Sequence, residues 1–147
     1  MPTLKANKQA RFNYDILETL EAGIVLSGAE VKSAKRGNVS LHGSYVSVRG
    51  TTAWLINCHI APYQYAQQVE YNPTHDRQLL LQKHEISSLI GKLKSAGLTL
   101  IPLSVYSKRG LVKVQLGLGR GKRKFDKRAS IKKRETDRSI RKALRVR

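Results

Sequence analysis

The chain has 147 residues, 40% of them hydrophobic, enough for one domain with a packed core and too few for two. Its 28 Lys and Arg against 10 Asp and Glu give a formal charge of +18, so a compact fold repels itself unless a polyanion compensates. No stretch approaches the roughly 20 apolar residues of a membrane span, Met1 to Arg11 hold no apolar signal segment, and the single cysteine, Cys58, allows no intrachain disulfide; no membrane partner and a reducing, cytoplasmic setting are expected.

Residues 1–11 are polar and basic and read as a loose arm. Phe12 to Leu26 is strand-like, rich in β-branched and aromatic residues, with Gly23 marking an expected bulge or bend. Gly28 to Gly37 predicts a short helix closed by Gly37. Ser44–Arg49 and Thr52–Ile60 predict a hairpin around Gly50, ended by Pro62. Residues 61–78, rich in Gln, Tyr, Asn and Pro, read as a loop, long for a compact domain and so a place to look for function. In Lys83 to Ala96 the positions Ile86, Leu89, Ile90 and Leu93 follow helical spacing, with Gly97 as the stop. Leu98–Tyr106 and Leu111–Leu118 predict a last hairpin around Lys108-Arg109-Gly110. Gly117, Gly119 and Gly121 then read as a flexible exit.

The charge is concentrated at the end. Residues 120–147 hold 14 Lys and Arg and three acids, Asp126, Glu135 and Asp137, for +11; residues 1–119 hold 14 basic and seven acidic residues, for +7. With few apolar residues, the tail cannot offset its own ordering entropy and is expected to be disordered when free. Glu135 with Arg138 and Asp137 with Arg141 stand at helical pair spacing, so it reads as a segment that folds on a polyanion. The count of about six strands and two helices fits a mainly β fold, a small OB-like six-stranded barrel with embedded helices over residues 1–119.

Catalytic patterns are missing. His42, His59, His75 and His84 are scattered without metal-ligand spacing, so neither a metal nor a cofactor is expected, and Cys58 in a strand pattern reads as a core residue. Gly117 to Lys122 lacks the phosphate-loop spacing, since three residues rather than four separate Gly117 and Gly121 and Arg123 follows Lys122. Glu18 and Glu21 read either as surface acids paired with Lys or as acceptors for RNA amino and 2′-hydroxyl groups. Phe125, inside a run of Lys and Arg, either stacks on an unpaired base or docks back on the barrel.

Several strings resemble the bacterial tmRNA-binding family, small protein B. They are Asn7-Lys8-Gln9-Ala10-Arg11, Tyr14-Asp15-Ile16, Leu20-Glu21-Ala22-Gly23-Ile24, Ser27-Gly28-Ala29-Glu30-Val31-Lys32-Ser33, Leu79-Leu80-Leu81, Val112-Lys113-Val114, Gly121-Lys122 and Asp126-Lys127-Arg128, with Gly97, Pro102 and Tyr106 in order between them. The resemblance runs over nearly the whole chain. It implies a non-enzymatic protein that binds the tRNA-like domain of tmRNA and accompanies it to stalled ribosomes for trans-translation, the tail probing the decoding centre of the small subunit and the empty mRNA channel. The family's tmRNA contacts fall on Glu21, Leu80 and Lys113, and the basic Lys32, Lys35, Arg36 and Arg77 are expected beside them. The ribosome-contacting positions fall on Gly121, Lys122, Asp126, Lys127 and Arg128, with Arg123 and Phe125 among them. Three departures stand out: Arg77-Gln78 where the family has Arg-Lys, Ala34-Lys35-Arg36 where it has Leu-Arg, and Phe125 where it often has Tyr or His. The rival readings are a ribosomal or general single-strand RNA-binding protein, with no preference for a tRNA-like elbow, and an RNA-processing enzyme, which would show turnover.

Overall fold

The structure is a computed structural model that describes residues 3–65, 70–94 and 97–122. In chain order the elements are β1 (Thr3–Ala6), α1 (Lys8–Asn13), β2 (Tyr14–Ile24), α2 (Gly28–Lys35), β3 (Val39–Ser40), β4 (Tyr45–Arg49), β5 (Thr52–Ile56), β6 (His59–Ile60), β7 (Arg77–Leu80), α3 (Lys83–Leu93), β8 (Leu98–Lys108) and β9 (Leu111–Gly121). Seven strands form one antiparallel sheet in the order β1-β8-β9-β2-β7-β5-β4, and β3 pairs with β6 apart from it. The mainly β expectation holds. The small six-stranded barrel does not: the main sheet has seven strands, and no ladder among the described residues joins its edge strands β1 and β4.

Local chemistry sets the elements. Arg109 and Gly110 take φ of 53° and 79°, the left-handed pair that a two-residue turn between β8 and β9 needs. Helix α2 opens with a capping box, Ser27 Oγ accepting from the Glu30 N–H at 3.2 Å and Glu30 Oε1 from the Ser27 N–H at 3.0 Å. It closes at Gly37 (φ 83°), where the Gly37 and Asn38 N–H groups donate to the Ala34 and Ser33 carbonyls.

The alternation of β9 sends Val112, Val114, Leu116 and Leu118 into the main core, which the sheet shares with Ala34 of α2 and Leu89 of α3. On the opposite sheet face a second cluster forms at one end only, where Ala10 of α1 packs with Ile101 and Leu103. Beyond it, that face carries polar side chains such as Glu21, Lys113 and Gln115 together with the exposed Leu80 and Leu111.

Four expectations are corrected. The loose arm is β1 plus α1, since Thr3 to Ala6 complete the edge of β8. The bulge falls between Ile16 and Glu18, whereas Gly23 stays in register with Lys113 on one side and Leu80 on the other. The end of the long loop, from Arg77, is strand β7, paired with both β5 and β2. The three glycines of the flexible exit lie within β9, opposite Thr19, Ile16 and Tyr14, and none of them has a positive φ. Gly117 and Gly119 serve close approach: a Cβ would stand 2.9 Å from Leu103 Cδ1 at the first and 3.0 Å from the Asp15 carbonyl oxygen at the second.

Candidate nucleic-acid interface

The ladders carry distant residues onto the open second face. Leu80, Gly23, Lys113 and Tyr106 are successive partners across β7, β2, β9 and β8; one step along, Glu21, Gln115 and Ser104 are successive partners across β2, β9 and β8. Side chains two apart on a strand share a face, so Glu21, Leu80 and Lys113 stand together although 92 residues of sequence span them. Gly23 is what lets Leu80 lie across β2: a Cβ there would be 3.2 Å from Leu80 Cβ.

Glu21 is exposed and held by donors. The Tyr106 hydroxyl donates to its Oε2, and Lys108 Nζ stands 3.3 Å from Oε1. The Tyr106 hydrogen bond first, then Lys108 and the charge of Lys113, hold the carboxyl below its ordinary range against the opposing effect of desolvation. Burial and the neighbouring carboxylate push the Tyr106 phenol up, so it remains a donor. A cleft of about 430 Å³ opens here, lined by Thr3, Thr19, Glu21, Ser104, Tyr106 and Gln115. Beside it Leu80 (54% exposed) and Leu111 (60%) rim an apolar groove of about 310 Å³ that also takes in Val31 and Lys113. The surface thus offers an ionised acceptor, a cation and an apolar shelf within a few residues. That set can take a ribose or base donor, a phosphate and the flat of a sugar or base.

On α2, Lys32, Lys35 and Arg36 are exposed. Lys32 and Arg36 lie over the ring of Tyr63, at 5.5 and 5.1 Å from its centroid. Arg77 is a correction: it is 1% exposed and cannot face RNA. Its Nε binds Glu30 Oε2 at 2.7 Å, and its remaining donors go to the carbonyls of Cys58, Pro73 and His75 and to the Tyr71 hydroxyl. His75 Nε2 adds a contact to Glu30 Oε2 at 3.0 Å. Burial pushes the Glu30 carboxyl up, but the Ser27 N–H, Arg77 and His75 overcome it and hold it at about 2. Cys58 lies in the same buried region, its thiol pushed up to about 11 by desolvation, which disarms it as a nucleophile.

Gly121 ends β9 and the Lys122 N–H donates to the Asn13 carbonyl at 2.9 Å. Arg123, Phe125, Asp126, Lys127 and Arg128 lie outside the described residues. Among the described residues no group of three or more His, Cys, Asp or Glu could hold a metal ion, and no helix is long and apolar enough to cross a membrane. Sequence reasoning missed Tyr106, Lys108 and Gln115 as neighbours of Glu21. The signal was present in the 108–110 turn, which fixes Tyr106 opposite Lys113.

Comparison with known proteins bears on this surface. The family model described as SmpB protein matches residues 4–146. The chain is similar to the SsrA-binding protein of Trichodesmium erythraeum, 50% identical over 139 residues, covering 94% of this chain and 89% of that one. It is 48% identical over 145 residues to that of Thermosynechococcus vestitus (98% and 95% covered) and 46% over 140 residues to that of Streptococcus suis (95% and 90%). A solved structure described as "tmRNA-SmpB: a journey to the center of the bacterial ribosome" matches with a TM-score of 0.70 and 44% identity, covering 89% of this chain and 95% of that one.

Proposed function

The chain belongs to the SmpB family of SsrA-binding proteins, and from that premise we propose that it binds tmRNA through the face bearing Glu21, Leu80 and Lys113 and brings it to stalled ribosomes for trans-translation. The observation that carries the choice of face is the convergence of those three residues beside the Tyr106-held carboxylate. Glu21 accepts from ribose or base donors of the tRNA-like domain, Lys113 takes a phosphate, and Leu80 supports a sugar or base. Lys32, Lys35 and Arg36 extend the positive surface along α2.

The second half of the work falls to the end of the chain. Gly121, Lys122, Arg123, Phe125, Asp126, Lys127 and Arg128 act at the decoding centre of the small subunit and along the empty mRNA channel, where neutralised phosphates offset the cost of ordering. The protein is an adaptor, not an enzyme, and works in the cytoplasm with the ribosome. Residues 1–119 carry the tmRNA interface and the basic tail, residues 120–147, the ribosomal one.

Binding of the tmRNA tRNA-like domain, set against bulk tRNA, tests the face. Glu21→Gln and Lys113→Ala should each weaken it, the first by roughly tenfold or more, as a hydrogen bond to a charged group is worth about 1.5–3 kcal/mol. Asp126→Ala with Lys127→Ala and Arg128→Ala should bind tmRNA nearly normally and fail to support peptide tagging. Normal tmRNA binding by Glu21→Gln and Lys113→Ala together would reject the face, and equal loss of binding and tagging in the triple variant would reject the division of labour.

A further inference from the structure

Helix α2 has two flanks. On one, Val31 lines the apolar groove with Leu80 and Lys113. On the other, Ser33 Oγ donates to the Ala61 carbonyl at 2.6 Å and fixes the start of the loop that carries Tyr63 and Tyr65. Lys32 and Arg36, four residues apart, stack along the helix toward that loop. Arg36 lies 5.1 Å from the Tyr63 centroid and 5.5 Å from that of Tyr65, and the two rings meet edge to face at 5.4 Å and 69°. Neither ring belongs to the hydrophobic clusters of the described residues, and Tyr65 is 71% exposed. Two aromatic rings held at the surface by cations, one of them largely open, are more than a loop needs to stay closed.

We propose that Tyr63 and Tyr65, backed by Arg36 and Lys32, form a platform on which an unpaired base of RNA stacks, on the far flank of α2 from the Leu80–Lys113 groove. Every base has a π face, so an exposed tyrosine stacks without choosing sequence, and an adjacent Arg adds a cation both to the ring and to the neighbouring phosphate. A helix with its side chains is only about 10–12 Å across. An RNA strand leaving the groove therefore crosses the exposed Lys32 and Lys35 and reaches the platform within a few nucleotides. The platform rests on the RNA-binding reading of the neighbouring face and extends its footprint to a second side of α2.

The test is equilibrium binding of the full-length chain to a labelled tRNA-like domain of tmRNA, by fluorescence anisotropy at several salt concentrations, with thermal melts as a check of folding. Tyr63→Ala with Tyr65→Ala should lose roughly tenfold in affinity with the salt slope unchanged. Tyr63→Phe with Tyr65→Phe should bind like the parent. Arg36→Ala should weaken binding and lower the salt slope by about one. Tyr65→p-benzoylphenylalanine should crosslink to an unpaired nucleotide. Parent-like binding by the double alanine variant overturns the platform, as does equal loss in the alanine and phenylalanine pairs. Glu21→Gln measured alongside separates the two sites: if it weakens binding while the tyrosine pair does not, the platform fails alone, and if it binds normally while the tyrosine pair is weak, the Glu21 face fails and the platform stands.

Discussion

Glu30→Gln should destabilise the protein by about 3 kcal/mol at pH 7, and the loss should shrink as pH falls. The Arg77 side chain has no solvent exposure and that of Glu30 has 4%, so removing the carboxylate charge leaves a buried guanidinium uncompensated. Two routes give the magnitude. A carboxyl moved from an ordinary 4.5 to about 2 corresponds to about 3 kcal/mol at 1.36 kcal/mol per pH unit. Breaking one side of a buried pair costs about 3–5 kcal/mol by precedent. Glutamine keeps an oxygen for the Ser27 N–H, so the cap survives and the charge alone is tested. Because the folded value lies below the unfolded one, this stabilisation is complete above about 4.5 and is lost as pH falls toward 2. Urea unfolding of both proteins, followed by fluorescence of Trp54, the one tryptophan and a half-buried reporter in β5, gives the difference at each pH. A gap under about 0.5 kcal/mol at pH 7, or one that stays constant down to pH 3, would refute the reasoning. Adding Arg77→Met should recover part of the loss, since a buried pair replaced by neutral groups is often tolerated.

Gly117→Ala should cost about 1–3 kcal/mol in thermal or urea unfolding, because its new methyl would stand 2.9 Å from Leu103 Cδ1 inside a packed cluster. Cys58, buried and with its thiol at about 11, should react with iodoacetamide at neutral pH far more slowly in the native protein than in urea.

Patterns that depend on neighbours in sequence were legible: the short helix closed by Gly37, the start and apolar face of the helix from Lys83, which the structure ends at Leu93 rather than Ala96, and the hairpin around 108–110. What was missed depends on pairing at a distance. Thr3 to Ala6 have nothing in their own composition to mark a strand; they become one because the edge of β8 is there to receive them. Arg77 looked like a free cation because its partner stands 47 residues away on α2. Its strand alternation carried the correct hint, since Arg77 shares the inward side of β7 with Leu79, while Gln78 and Leu80 point outward. The resemblance supplied Glu21, Leu80 and Lys113 as separate positions. Only the registers of β7, β2 and β9 make them one surface, and the same registers add Tyr106, which the 108–110 turn already sets opposite Lys113, and Gln115.

Strand β9 pairs with β8 from Leu111 to Arg120 and with β2 from Lys113 to Gly121, and Lys122 just beyond it is tied to Asn13. Lys113 stands near one end and Gly121 at the other, eight residues on, about 26 Å at the rise of an extended strand. The strand therefore acts as a caliper: the proposed tmRNA face at Lys113 and the point from which the basic tail departs are held at a set separation. Substitutions that loosen Gly117 or Gly119 would alter that spacing without touching either RNA contact, and so could uncouple tmRNA capture from events at the decoding centre.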